Sequence, residues 1–230
     1  MSQVYLPPVG GARLGVEPAL ASWDRAESRS QARLGRFLDH AAAVAAPMMV
    51  STSSLALGLA VGLSPNVPLI SGGRDLDNYL LPLVTRLGAG RFCAVFGRKF
   101  HGSPSRLAVR TAQLAMAVQP VFTMRAVGSS DRPEWKATIR DQLLAAGVRV
   151  VEPGPVALGI AVTTGGGRNW ANLWKPLLDA FGPVLGEPGT NPFHPQDDRI
   201  TDLALHHTID TDLRHDVIIA AWWNGAIPCG

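Results

Sequence analysis

Two carboxylates stand one residue apart in Arg74-Asp75-Leu76-Asp77-Asn78. In extended backbone, side chains two positions apart leave the chain on the same side, so Asp75 and Asp77 are expected to share one face just ahead of a helix. Like charges held together repel unless a cation sits between them, and Mg²⁺ or Mn²⁺ suits hard oxygen ligands of this kind. A cation so held can activate water and neutralise charge on a phosphate, which is the chemistry of phosphodiester hydrolysis. The plain structural alternative is a polar loop with Asn78 capping the helix that follows.

Other candidates each carry a functional and a structural reading. His101 and His194 both follow a Phe and read as equivalent positions, suited to a phosphate contact, a metal ligand or an inherited turn. His206 and His207 are adjacent on a strand-like run, so they point to opposite faces and do not share a metal. Arg91, Arg98 and Lys99 interleave with Phe92, Phe96 and Phe100, a mixture that suits single-strand or junction binding and equally a solvated sheet edge. Gly165-Gly166-Gly167-Arg168 lacks the Lys-Ser/Thr of a nucleotide loop and reads first as a flexible turn, second as an approach to phosphate. Arg74, Arg98, Lys99 and Arg168 therefore stand as the candidate nucleic-acid contacts. Trp170, Trp174, Trp222 and Trp223 read as packing residues.

The elements that must position these residues occur twice. Ala-Leu-Gly-Leu-Ala-Val at 56–61 returns as Ala-Leu-Gly-Ile-Ala-Val at 157–162, and Arg74-Asp75-Leu76-Asp77-Asn78 is echoed by Arg168-Asn169-Trp170-Ala171-Asn172. A third block aligns Phe100-His101 and Arg106-Leu107 with Phe193-His194 and Arg199-Ile200. Each copy predicts a helix (30–46, 132–146), an apolar strand (55–61, 156–163), a loop, a second helix capped at Asn78 or Asn172 and ending at Gly88 or Gly182, and further strands. The closing strand 217–223 is apolar throughout and expected to be central, with 121–127 as its counterpart. The expected organisation is an N-terminal extension (1–29), a first unit (30–128) and a second unit (129–230), divided at the polar turn 128–132. The fold class is mixed α/β, two similar units forming a pseudo-dimer.

Bulk properties permit this reading without deciding it. The 230 residues are 47% hydrophobic, enough for a real core, and the formal charge of +3 allows a nucleic-acid surface without requiring one. Cys93 and Cys229 form neither a CxxC pair nor a disulfide framework, and Met1–Gly11 lacks the basic start and apolar stretch of a signal peptide, so a reducing cytoplasm is expected. The apolar region 41–63 is broken by Pro47 and by residues 51–54, which makes a poor membrane span.

The order helix, strand, Arg-Asp-Leu-Asp-Asn, helix, then an Asp-Asp pair before another strand resembles the RusA-type Holliday-junction resolvase family, twice over nearly the whole repeat. The likeness is strongest at 74–78, at 172–180 and at Asp197-Asp198-Arg199-Ile200. It implies that Asp75 and Asp77, with Asp197 and above all Asp198, are metal-binding catalytic residues assisted by Lys175, three residues after Asn172. It further implies Mg²⁺ or Mn²⁺ as cofactor and branched DNA as partner, with no membrane and with room for further self-association. A fused tandem then resembles a homodimer made covalent. Neither copy holds a full set. The first has Leu81 where the Lys is expected and Pro104-Ser105 where the Asp-Asp pair is expected; the second has Asn169 and Ala171 in place of the two Asp. Site one could complete its shell with Ser105, water or His101. A composite site joining Asp75 and Asp77 to Asp197 and Asp198 would account for the complementary losses, and a non-catalytic binder of nucleic acid or protein is the alternative.

Overall fold

The computed structural model describes residues 2–20, 28–116 and 118–224. In chain order these form β1 (Ala12–Arg13), α1 (Arg29–Ala45), β2 (Leu55–Leu63), α2 (Leu76–Leu87), β3 (Phe92–His101), β4 (Arg106–Thr111), β5 (Phe122–Ala126), α3 (Pro133–Ala145), β6 (Val156–Thr164), α4 (Trp174–Ala180), α5 (Gly182–Leu185), β7 (Ile200–Ile209) and β8 (Val217–Trp223). The fold is mixed α/β. All eight strands join one sheet in the order β1-β4-β2-β3-β7-β6-β8-β5.

Local sequence accounts for the main elements. Ser28 caps α1 by accepting a bond from the Gln31 amide, and Leu34, Phe37, Ala41 and Ala45 recur at helical spacing to form its buried stripe. Pro133 opens α3, where Trp135, Ile139 and Leu143 repeat every fourth residue on the buried face. Along β2, Leu55, Leu57, Leu59, Val61 and Leu63 alternate into the main core with Phe37, Leu80 and Trp174. The other face of the sheet, small-sided along β2 (Ala56, Gly58, Ala60), is crossed by the N-terminal segment, where Val4 packs on Ala161, Ala220 and Trp222. No helix among the described residues is long and apolar enough to cross a membrane.

The strand pairing reads the same outward in both directions from one seam. β2 runs parallel to β3 and antiparallel to β4, while β6 runs parallel to β7 and antiparallel to β8. The two sets meet where β3 pairs antiparallel with β7, with Phe96 opposite Ala204 at the middle of the paired stretch. Even a register shift recurs, at Leu55/Ala56 in one parallel pair and Val156/Ala157 in the other.

Several expectations are corrected by this arrangement. The helix caps are Asp75 and Asn169, three residues before Asn78 and Asn172. Strand β8 lies one place from the sheet edge rather than at the centre, which belongs to β3 and β7. The strand in its matching position is β4, and Phe122–Ala126 pairs directly with β8 instead. Phe100 and His101 end β3, whereas Phe193 and His194 lie in the loop ahead of β7. The third block of the repeat thus matched short identities in unlike places. By place in the strand pairing, Arg199-Ile200 at the start of β7 corresponds to Arg91-Phe92 at the start of β3, because Phe92 pairs with Leu55 as Ile200 pairs with Val156. Cys229 lies outside the described residues.

Both arginines perform one structural task. Arg91 donates to the carbonyls of Met49 and Ser51, and buried Arg199 donates to those of Val151, Glu152, Gly154 and Leu185, in each case tying down the chain that enters a parallel strand. Arg199→Leu strands several buried acceptors at once. It is expected to destabilise the fold by about 3 kcal/mol or more, read as a lower urea midpoint at unchanged slope, and an unchanged midpoint would contradict this role.

Candidate metal centre

Asp75 is the cap residue of α2, with extended backbone (φ −71°, ψ 133°), and Asp77 sits in the first helical turn. They are neighbours through cap geometry rather than through strand alternation. Asn78 turns back and donates Nδ2–H to Asp75 Oδ2 at 2.9 Å, fixing the carboxylate from within the motif. The third member comes from the other side of the seam: Asp197 opens a short 3₁₀ turn, Asp197–Arg199, that leads into β7. Because β3 and β7 are antiparallel neighbours, the start of β7 lies beside the end of β3, where the loop into α2 also stands. One oxygen from each of Asp75, Asp77 and Asp197 lies within 4.8 Å of the others. Oxygens on opposite sides of a divalent cation stand ~4.2 Å apart for Mg²⁺ and ~5 Å for Ca²⁺. The spacing therefore suits a hard divalent cation without selecting one.

The electrostatics show a cluster whose negative charge Lys175 offsets only in part. Burial, then the charges of Asp197 and Asp77, push the Asp75 carboxyl up to about 7. Burial likewise raises Asp77 to about 6, with Lys175 pulling it down and Asp197 pushing it up. Asp75 Oδ1 and Asp77 Oδ1 are both buried without a hydrogen-bond partner. Orphaned anionic oxygens are costly in a protein interior, and a cation ligated by them removes that cost. The donor set, all carboxylate, fits magnesium, manganese or calcium better than a soft metal.

Lys175, in the first turn of α4, sits over the cluster. Its Nζ lies 2.9 Å from Asp197 Oδ2, 3.4 Å from Asp179 Oδ1 and 4.0 Å from Asp77 Oδ2. Burial favours its neutral form, but Asp77, Asp197 and Asp179 outweigh that and hold its pKa above the ordinary lysine value. It remains an ammonium. With 45% of its side chain exposed, it offers a positive charge towards solvent at the mouth of the cluster. Asp179 is a further acidic group that the sequence reading passed over; its spacing of four from Lys175 on one helix face was the available signal.

The remaining candidates scatter. Asp198 does not join the trio: its Oδ2 accepts from the Gly73 amide at 3.4 Å, and its carbonyl accepts from Lys99. Lys99 is only 2% exposed and its ammonium also bonds the Arg74 carbonyl at 2.9 Å, so it is not available as a nucleic-acid contact. The period-two rule places it on the core face with Val95 and Gly97, a signal missed in favour of its neighbour Arg98. Arg98 points to the opposite face, is well exposed and pairs with Asp202 at 3.3 Å. Arg74 donates to the Tyr79 hydroxyl at 3.3 Å. Arg168 donates to the carbonyls of His215 and Gly128 and lines a cleft of about 890 Å³ with Arg132 and Arg214. His101 bonds the Val67 carbonyl, and Ser105 Oγ accepts from the Gly62 amide, so neither completes the carboxylate shell. His206 and His207 are on opposite faces, each driven down to about 4 by burial. His206 Nδ1 accepts from the Tyr5 amide, while His207 bonds Thr164 and stacks on Trp170.

The place across the seam that matches the cluster holds no carboxylate. Asn169 caps there with its side chain accepting from the Ala171 amide. The turn ahead of β3, matching Asp197–Arg199, is Ala89–Arg91, so Ala89 and Gly90 occupy the positions of the Asp pair, not Pro104 and Ser105. Trp170 fills the space, donating Nε1–H to the Ala89 carbonyl at 3.3 Å.

No protein-family model, curated protein or solved structure matches the chain.

Proposed function

We propose that the chain is a divalent-cation-dependent endonuclease acting on branched DNA, built from two fused copies of a RusA-like unit that share a single composite metal site. The observation that carries this reading is the meeting of Asp75 and Asp77 with Asp197 from the far half of the chain, under Lys175. Its complement is the emptied mirror position of Asn169, Ala171, Ala89 and Gly90. Complementary losses are what one retained and one abandoned composite site produce. The outward-matching strand order supports the duplication and favours a unit boundary between β4 and β5, ahead of the turn 128–132, so that β1 and β5 open the two copies.

A cation bound here would supply Lewis-acid activation of water and charge neutralisation on the phosphate. The protein's own contribution is positional and electrostatic. Asp75, Asp77 and Asp197 fix the ligand oxygens, and Asn78 orients Asp75. Lys175, kept cationic by its acidic neighbours, can face a non-bridging phosphate oxygen as negative charge grows on it.

The test is a labelled four-way junction beside a matched linear duplex in Mg²⁺ or Mn²⁺, with wild type and the Asp75→Asn, Asp77→Asn double variant. Cleavage of the junction that the double variant loses is the expected result. Selective binding without cleavage would replace the nuclease by a non-catalytic binder, and neither binding nor cleavage would end the DNA reading. One site cuts one strand at a time, so nicked junctions are expected as the product; simultaneous equal incision of opposing strands would refute the single site.

A further inference from the structure

We infer that Lys99 is the positioning residue of the metal centre, tying the loop that carries Asp75 and Asp77 to the turn that carries Asp197 and so holding the three carboxylates at ligand spacing. The inference rests on the metal reading above. Lys99 is 2% exposed, and an ammonium that deep is unfavourable unless its hydrogens are bonded. Its two bonds go to backbone carbonyls, those of Arg74 and Asp198. Arg74 immediately precedes Asp75, and Asp198 immediately follows Asp197. The two acceptors therefore belong to separate segments, one on each side of the seam, and each is the chain neighbour of a ligand.

Lys175 and Lys99 divide the work by what they touch. Lys175 contacts the carboxylate oxygens themselves and competes with a cation for them. Lys99 bonds carbonyls and leaves the ligand oxygens free. It stands on β3 inside the sheet, opposite Val61 of β2, so its base is rigid. The matching residue across the seam is His207, opposite Val162 of β6. That side has no carboxylates to align, and His207 instead bonds Thr164 and packs on Trp170. An ammonium is thus present at this register only where ligands need joining.

The experiment is Mn²⁺ binding by the full chain, followed by electron paramagnetic resonance, for wild type, Lys99→Met and Lys99→His, each checked for a cooperative melt. Losing an outer-shell partner typically costs about 10- to 100-fold in metal affinity, and a loss of at least about tenfold is expected in whichever variant folds. A folded Lys99→Met or Lys99→His that keeps wild-type affinity overturns the role of Lys99 alone. Wild type that binds no Mn²⁺ overturns the metal reading and this inference with it. Hydrogen exchange on the wild type needs no variant: Mn²⁺ should slow the amides of residues 73–78 and 197–199 together, and protection of one segment without the other overturns the coupling.

Discussion

Asp197→Asn is expected to reduce junction cleavage as severely as Asp77→Asn, by more than about 100-fold, although the two residues belong to opposite halves of the chain. Each supplies one of the three clustered carboxylates, and loss of a direct ligand should exceed the 10- to 100-fold that outer-shell partners cost. Asp198→Asn is the informative companion. The family resemblance gives the leading role to Asp198, whereas its carboxylate accepts from the Gly73 amide and stands outside the trio, close enough to add to the negative charge felt by Asp75. A loss under about tenfold is therefore expected there. Cleavage rates of a labelled junction at saturating Mn²⁺ decide the order, and a greater loss in Asp198→Asn than in Asp197→Asn would return the ligand role to Asp198.

The second large effect is on stability, and its sign follows from the raised carboxyl pKa values. A carboxyl that titrates higher in the folded than in the unfolded chain contributes stability that is fully present below the unfolded value, near 4, and lost as pH rises through the folded one. For Asp77 and Asp75 the folded values are about 6 and about 7. Without a divalent cation, the contribution of this pair should be lost between about pH 4 and pH 7, while His206 and His207, buried and titrating near 4, gain stability over the same range; the carboxylate share is therefore read as the difference in pH profile between wild type and the Asp75→Asn, Asp77→Asn double variant. With Asp77 only 3% exposed, one pKa unit corresponds to about 1.4 kcal/mol, which makes its contribution on the order of 1 to 3 kcal/mol. At about 2 to 4 °C per kcal/mol for a chain of this size, the shift is readable by thermal melts. Mn²⁺ should raise the melting temperature at pH 8 and do little at pH 4.5, where protons occupy the same oxygens. Asp77→Asn should melt higher than wild type at pH 8 in the absence of cation, since it removes a buried charge in a cluster of like charges. Equal Mn²⁺ stabilisation at both pH values, or a destabilised Asp77→Asn, would contradict the account.

How much of this was legible in the chain depends on the distance over which each feature is encoded. Helix α1 was placed to within one residue at each end, and the start of β2 was located from the period of its apolar residues. The strand Val217–Trp223 was found end to end, but its place in the sheet was not, because an all-apolar strand signals burial on both faces and says nothing about how many neighbours lie beyond it. Asp75 and Asp77 announced themselves by proximity, though the geometry that joins them is a helix cap. The pairing of that motif with Asp197 was open only as one arrangement among several. It depends on β3 meeting β7 antiparallel, a long-range pairing that local patterns leave undetermined. The misplaced third repeat block had a related cause: three identities at one offset outweighed strand register, which only pairing reveals. Lys99 was assigned by charge to the surface when its parity on the strand assigned it to the interior.

On the proposed reading, the seam between β3 and β7 also sets when the three carboxylates can come together. Translation delivers Asp75 and Asp77 early and Asp197 only after most of the polypeptide has emerged. The first half, while still tethered to the ribosome, holds two of the three carboxylates and no Lys175. On the proposed reading, a nascent or truncated product is therefore silent towards DNA, and the capacity to cut arises only in the finished molecule.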